Sequence, residues 1–144
     1  MDYLKMIGNG VTKYEMRAKT LVREIKSKIV AKSIPLSDVL IKKVDYKTGS
    51  QMPNISDGFV PFNKGEKWGT AKDEHCWFYS KINIEKIEGK RCELLVSTGL
   101  NGWDARNPQF ILYIDGKIVQ GMDTNHTTAL ITEYGEKEVY LYAY

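Results

Sequence analysis

The chain has no apolar run of about 18 residues, the length a membrane-spanning helix requires, so no transmembrane helix is expected. The N-terminal stretch MDYLKMIGNG lacks the apolar core of a signal peptide. Cysteine is limited to Cys76 and Cys92. Two thiols do not make a disulfide framework and fit reduced core residues better. Together these absences place the protein in the cytoplasm, as an expectation. Histidine is equally scarce: His75 and His126 are too few for a histidine-rich metal centre. Phosphate-binding glycine loops, HExxH, CxxC and the Gly-x-Ser-x-Gly nucleophile elbow are all missing. No repeat or low-complexity tract occurs. No pair of carboxylates stands out as a catalytic pair, so no catalytic residue is assigned within these residues.

What is present reads as an ordinary globular chain. It has 144 residues, 42% hydrophobic and 27% charged, enough to bury a core without disulfides. The net charge of +3 is unevenly spread. Residues 13–32 hold Lys13, Arg17, Lys19, Arg23, Lys26, Lys28 and Lys32 against only Glu15 and Glu24. A lone basic helix with interspersed acids and no basic companion is read as a solvated face. Neither a nucleic-acid partner nor a membrane partner is expected.

The apolar pattern divides the chain. Tyr14, Ala18, Leu21, Val22, Ile25 and Ile29 recur at helical spacing and predict a helix over 13–32. Thr12 with Glu15 three residues later predicts a capping box. Ser33-Ile34-Pro35 predicts the stop. Residues 36–42 read as a further helical turn. Residues 47–58, rich in Gly, Ser, Asn and Pro, read as a linker.

From Phe59 the period changes to that of strands. Strands are predicted over 77–84, 92–98, 110–114, 118–120, 128–132 and 139–144. In the last, Val139, Leu141 and Ala143 share one face, and Tyr140, Tyr142 and Tyr144 the other. The tyrosine face is expected to be an exposed apolar patch for a partner. The chain ends in mid-strand, which reads as a piece of a longer enzyme. The expected architecture is mainly β: an antiparallel, jelly-roll-like sandwich with an N-terminal helical leader. The expected organisation is a leader over 1–46, a linker over 47–58 and the sandwich over 59–144.

Two groups of residues are candidates for contact. Asp115-Gly116 is a hairpin turn signal, because both central residues of a type I′ turn need positive φ. The polar cluster that follows, Gln120, Asp123, Asn125 and His126, is not needed for a hairpin. One ordinary explanation is that Asp123 accepts a hydrogen bond from the Asn125 amide in an Asx-turn. The alternative is that the cluster contacts a ligand, since amide, carboxylate and imidazole groups match the donors and acceptors of sugar hydroxyls. Trp68 and Trp103, on loops, are candidates for stacking on a sugar, whereas Trp77 reads as core. Asp123 and His126 supply at most two metal ligands, so no metal site is assigned.

The order of these features resembles the N-terminal region of cytosolic-type α-mannosidases of glycoside hydrolase family 38. The matching pieces are a basic helix with Arg17 and Arg23, then Pro61-Phe62 ahead of Gly65-Glu66-Lys67-Trp68-Gly69. His75 to Phe78 then open a strand, followed by Tyr113-Ile114-Asp115-Gly116 and Gln120-Gly121-Met122-Asp123-Thr124-Asn125-His126. The match covers nearly the whole chain. It departs at Lys81 to Glu85, where the family pattern has a proline after the apolar pair. The resemblance implies a non-catalytic β-sandwich placed before a catalytic domain that binds zinc through His and Asp residues and works with retention. It implies no cofactor in this chain and zinc in the parent. The implied partners are the catalytic domain of the same polypeptide, a mannose-containing glycan and a second subunit. A carbohydrate-binding module and a purely structural interaction domain are the competing readings.

Overall fold

The computed structural model describes residues 12–46, 51–69, 73–98 and 108–144. Two compact units are present, residues 1–34 and residues 35–144.

The described part of the first unit is dominated by one helix, α1 (Lys13–Ile29). Its start is fixed as the sequence predicts. The Glu15 amide donates to Thr12 Oγ1 (3.2 Å), and the Thr12 amide donates to the Glu15 carboxylate (2.7 Å). Glu15 in the first turn and Lys26 and Lys28 in the last suit the helix dipole. The helix ends three residues short of the prediction, because Val30 is already extended. No residue of α1 is buried.

The second unit holds eight strands among its described residues: β1 (Leu40–Val44), β2 (Val60–Pro61), β3 (His75–Ile84), β4 (Cys92–Leu95), β5 (Phe110–Ile114), β6 (Lys117–Met122), β7 (Thr128–Ile131) and β8 (Gly135–Ala143). All pairings are antiparallel. Six strands form one sheet in the order β2-β1-β3-β8-β5-β6, and β4 pairs with β7 in a second sheet. The architecture is therefore mainly β and sandwich-like, with an N-terminal helix, as expected. Pro61 sits on the edge strand β2, where its missing N–H breaks no ladder.

The alternation of β3, β5 and β8 sends their side chains to opposite faces, and both faces are buried. Cys76, Phe78, Ile84, Phe110, Leu112, Ile114, Val139 and Ala143 meet Ala129 and Ile131 of the small sheet in one core. Trp77, Tyr79, Tyr140 and Tyr142 form a second, aromatic core on the other face. Its rings interlock: Trp77 lies 5.0 Å from Tyr142 and 5.3 Å from Tyr113, and Tyr79 lies 4.8 Å from Tyr140.

Two expectations are corrected here, the helical turn at 36–42 and the open tyrosine face. Residues 36–42 do not make a helical turn, because residues 40–44 pair with β3 along their full length. The unit that holds β1 begins at Pro35. Within the described part of the expected linker, Met52 and Ile55 pack on the aromatic core, as does Phe59 just after it. An ion pair of 2.6 Å between Lys42 and Asp57 ties this segment to β1. Finally, the tyrosine face is not an open patch. Tyr140 and Tyr142 are each 6% exposed, and only Tyr144 reaches solvent.

Candidate functional site

With both faces of the large sheet covered, contact groups must come from the turns and the ends of the sandwich. Strand β6 has a polar turn at each end. At its start, Asp115 (φ 48°) and Gly116 (φ 79°) take the two positive φ angles a type I′ hairpin demands. Asp115 accepts from the Glu138 amide (2.9 Å) and from Lys137 Nζ (2.7 Å). Lys137 also donates to Glu133 (2.8 Å). The Lys137 ammonium holds the Asp115 and Glu133 carboxyls below their usual range, and they in turn raise Lys137. This turn uses its charges to lock β8 against the hairpin.

The turn after β6 is built differently. Asp123 Oδ1 accepts from the Asn125 amide (2.7 Å) and the His126 amide (2.6 Å). The Asp123 amide donates to the His126 carbonyl (3.2 Å), closing the loop. This is the Asx-turn the sequence allows, with one more amide captured. The imidazole then adds a contact the sequence did not reveal. His126 Nδ1 lies 3.1 Å from both oxygens of the Asp123 carboxylate. That ring, followed by the His126 and Asn125 amides, holds the Asp123 carboxyl below its usual range. The His126 side chain remains 75% exposed. Gln120, at the other end of the cluster, donates to the Thr128 carbonyl (3.0 Å) and braces β6 against β7. Gln120 is thus used inside the fold, Asp123 organises the loop, and Asn125 and His126 lie exposed.

An apolar groove of about 640 Å³ opens between the two sheets. Val39, Phe62, Trp68, Phe78, Phe110 and Leu141 are among its walls, and Asp38, Asn63 and Lys64 also line it. The His126 loop adjoins this groove. Groove-lining Phe110 pairs with Met122, next to Asp123. Groove-lining Val96 donates its amide to the Thr127 carbonyl (2.8 Å), next to His126. Trp68 is not an open stacking platform. It stands half-buried, edge to face with Phe78 (5.2 Å, 74°) and 6.0 Å from Phe110. Trp77 is fully buried, as expected. Trp103 lies outside the described residues. Asp38, Asn63 and Lys64 were not among the sequence candidates, since only the fold brings them beside Trp68.

Two further titratable side chains, His75 and Cys76, are engaged inside the fold. His75 Nδ1 lies 2.7 Å from the Tyr142 hydroxyl, and its ring stacks on Tyr144 (5.8 Å, 12°). Burial and the neighbouring Glu74 push the Cys76 thiol up to about 11, which makes it an inert core residue at neutral pH. Among the described residues, no three His, Cys, Asp or Glu side chains gather as a metal-binding group. Among the same residues, no helix is long and apolar enough to cross a membrane. No protein-family model, curated protein or solved structure matches this chain.

Proposed function

We propose that the β unit is the non-catalytic N-terminal domain of a zinc-dependent retaining α-mannosidase. It packs on the catalytic domain of the same polypeptide, contributes to the rim of its active site and assists subunit assembly. The observation that carries this reading is the loop of Asp123 to His126. The resemblance to the mannosidase family includes the segment from Gln120 to His126. The same segment folds into a self-closed turn that leaves an imidazole exposed. A hairpin sandwich has no need of that group. An exposed imidazole beside a side-chain amide offers the mixed donors and acceptors that sugar hydroxyls require. Zinc belongs to the catalytic domain in this reading. A catalytic zinc takes three protein ligands, and Asp123 with His126 makes two, so no step is routed through a metal here.

The groove beside Trp68 supports a second reading, a carbohydrate-binding module. Its volume falls within the range of small-molecule sites, and its walls are mostly apolar with a few polar groups.

The deciding experiment assays the longer polypeptide that carries this region on aryl α-mannosides. The expected result is hydrolysis with retention, abolished by chelation, and no hydrolysis by the 144-residue chain alone. Retention requires two carboxyl groups about 5–5.5 Å apart or equivalent help from a metal. A longer polypeptide with no mannosidase activity, or zinc-dependent turnover by the isolated chain, would overturn the proposal. Sugar binding by the isolated chain, lost on filling the groove, would favour the second reading.

A further inference from the structure

We infer that Asp123 is a positioning residue that fixes His126 as the Nδ1–H tautomer, so that Nε2 faces outward as a hydrogen-bond acceptor. The argument is one of donors and acceptors. An ionised carboxylate can only accept. Oδ1 takes the Asn125 and His126 amides at 2.7 and 2.6 Å, which anchors the carboxylate in one orientation. Both oxygens then lie 3.1 Å from His126 Nδ1. A neutral imidazole carries one proton, and the only arrangement without lone-pair repulsion puts it on Nδ1. Nε2, on the far side of the ring, keeps its lone pair. Carboxylates orient ligand-binding histidines in this way at many metal sites. Here the histidine stands alone, and the matching ligand group is an uncharged hydroxyl that donates to Nε2. That this hydroxyl belongs to a sugar rests on the mannosidase reading; the tautomer does not.

Asp123→Asn separates positioning from loop closure. The amide oxygen still accepts the two backbone N–H groups, so the loop is kept. The amide nitrogen takes the place of Oδ2 and presents a donor to Nδ1. Oδ1 stays within reach of Nδ1 as an acceptor, but Nδ1–H loses one of its two acceptors and the carboxylate charge, so the Nε2–H form becomes populated.

The test is a long-range ¹H–¹⁵N correlation spectrum of the 144-residue chain at about pH 8.5, where a free imidazole is neutral. The signals of His126 are those lost in His126→Gln, which leaves His75 as the internal reference. The expected wild-type spectrum has a protonated, pyrrole-type Nδ1 and a pyridine-type Nε2. Asp123→Asn is expected to move the Nδ1 and Nε2 shifts toward each other as the Nε2–H form is populated, with the backbone signals of Asn125 and His126 little changed. A wild-type Nε2 that carries the proton would overturn the inference, and so would a folded Asp123→Asn variant in which neither ring-nitrogen shift moves. If the variant loses its loop, the wild-type spectrum decides alone. Failure of the mannosidase reading would leave this spectrum as it is, so the two ideas fail separately.

Discussion

The two faces of the six-stranded sheet are both buried, yet by different means. One is aliphatic and is covered by the β4–β7 pair, with Leu112 and Cys76 fully enclosed. The other is aromatic and is covered by residues 51–59, an irregular segment tied down by Met52, Ile55, Phe59 and the Lys42–Asp57 pair. The first face follows the usual logic of a sandwich, in which side chains of two sheets interdigitate. The second shows that a row of tyrosines need not be a docking surface. Large rings can enclose one another and leave little for a cover to do. For function the lesson is exclusion. Outside the groove between the sheets, where Phe78, Phe110 and Leu141 are reached, the central strands offer no open face, which leaves that groove and the turn at Asp123 to His126.

The comparison is broken most forcefully by emptying each core. Trp77→Ala should cost about 3–5 kcal/mol and Leu112→Ala about 2–5 kcal/mol, read from denaturant unfolding. If Trp77→Ala costs under about 1 kcal/mol, the aromatic face is not a core.

Alkaline titration distinguishes the faces chemically. Cys76 on the aliphatic face rises from 9.0 to about 11, chiefly through burial. Tyr79 on the aromatic face rises from 10.0 to about 12, through burial and then its bond to Glu138. Both groups are kept protonated by the fold. Their contribution is full below the unfolded value and is lost as pH rises through the folded one. Melting temperature should therefore fall from about pH 9, with Tyr79 joining from about pH 10. Cys76→Ala should delay the onset, and an unchanged onset would count against the buried thiol.

The cover on the aromatic face is expected to matter less than the rings beneath it. Phe59 is half-buried and lies 6.0 Å from Tyr79. Phe59→Ala should cost about 1 kcal/mol and make the tyrosine rings more accessible to a quencher. Equal costs for Phe59→Ala and Trp77→Ala would mean that the segment, not the rings, builds the core. Smaller still is the effect of Asp123→Ala, which removes the acceptor for two amides on an exposed loop. A drop of a few degrees in Tm is expected, with the cores intact.

Much of the fold was legible because the sheet alternates so cleanly. Phe110 to Ile114 and the Asp115-Gly116 turn lie where period and turn chemistry put them. The capping box of Thr12 and Glu15 was equally plain. Strand β1 was not, because Leu40-Ile41-Lys42-Lys43-Val44 is short and places a lysine on a buried face. Its identity is set by pairing with β3, a tertiary effect that outweighs local pattern. The packing of residues 51–59 was hidden for a related reason. Turn-forming residues mask Met52, Ile55 and Phe59, whose partners lie on distant strands. At the candidate site, the Asx-turn follows from Asp123 alone. The Nδ1 contact of His126 depends on how the loop closes, and the groove depends on two sheets meeting. Neither is a local property of the sequence.

The most direct measurement of the central claim is kcat/KM and Tm for His126→Ala in the longer α-mannosidase that the proposal requires. The imidazole is 75% exposed and its contact with Asp123 lies at the surface, so Tm should change little. If it offers its Nε2 to the sugar at the active-site rim, kcat/KM should fall about tenfold, the worth of one hydrogen bond. An unchanged kcat/KM, or a loss that merely tracks a fall in Tm, would contradict the account.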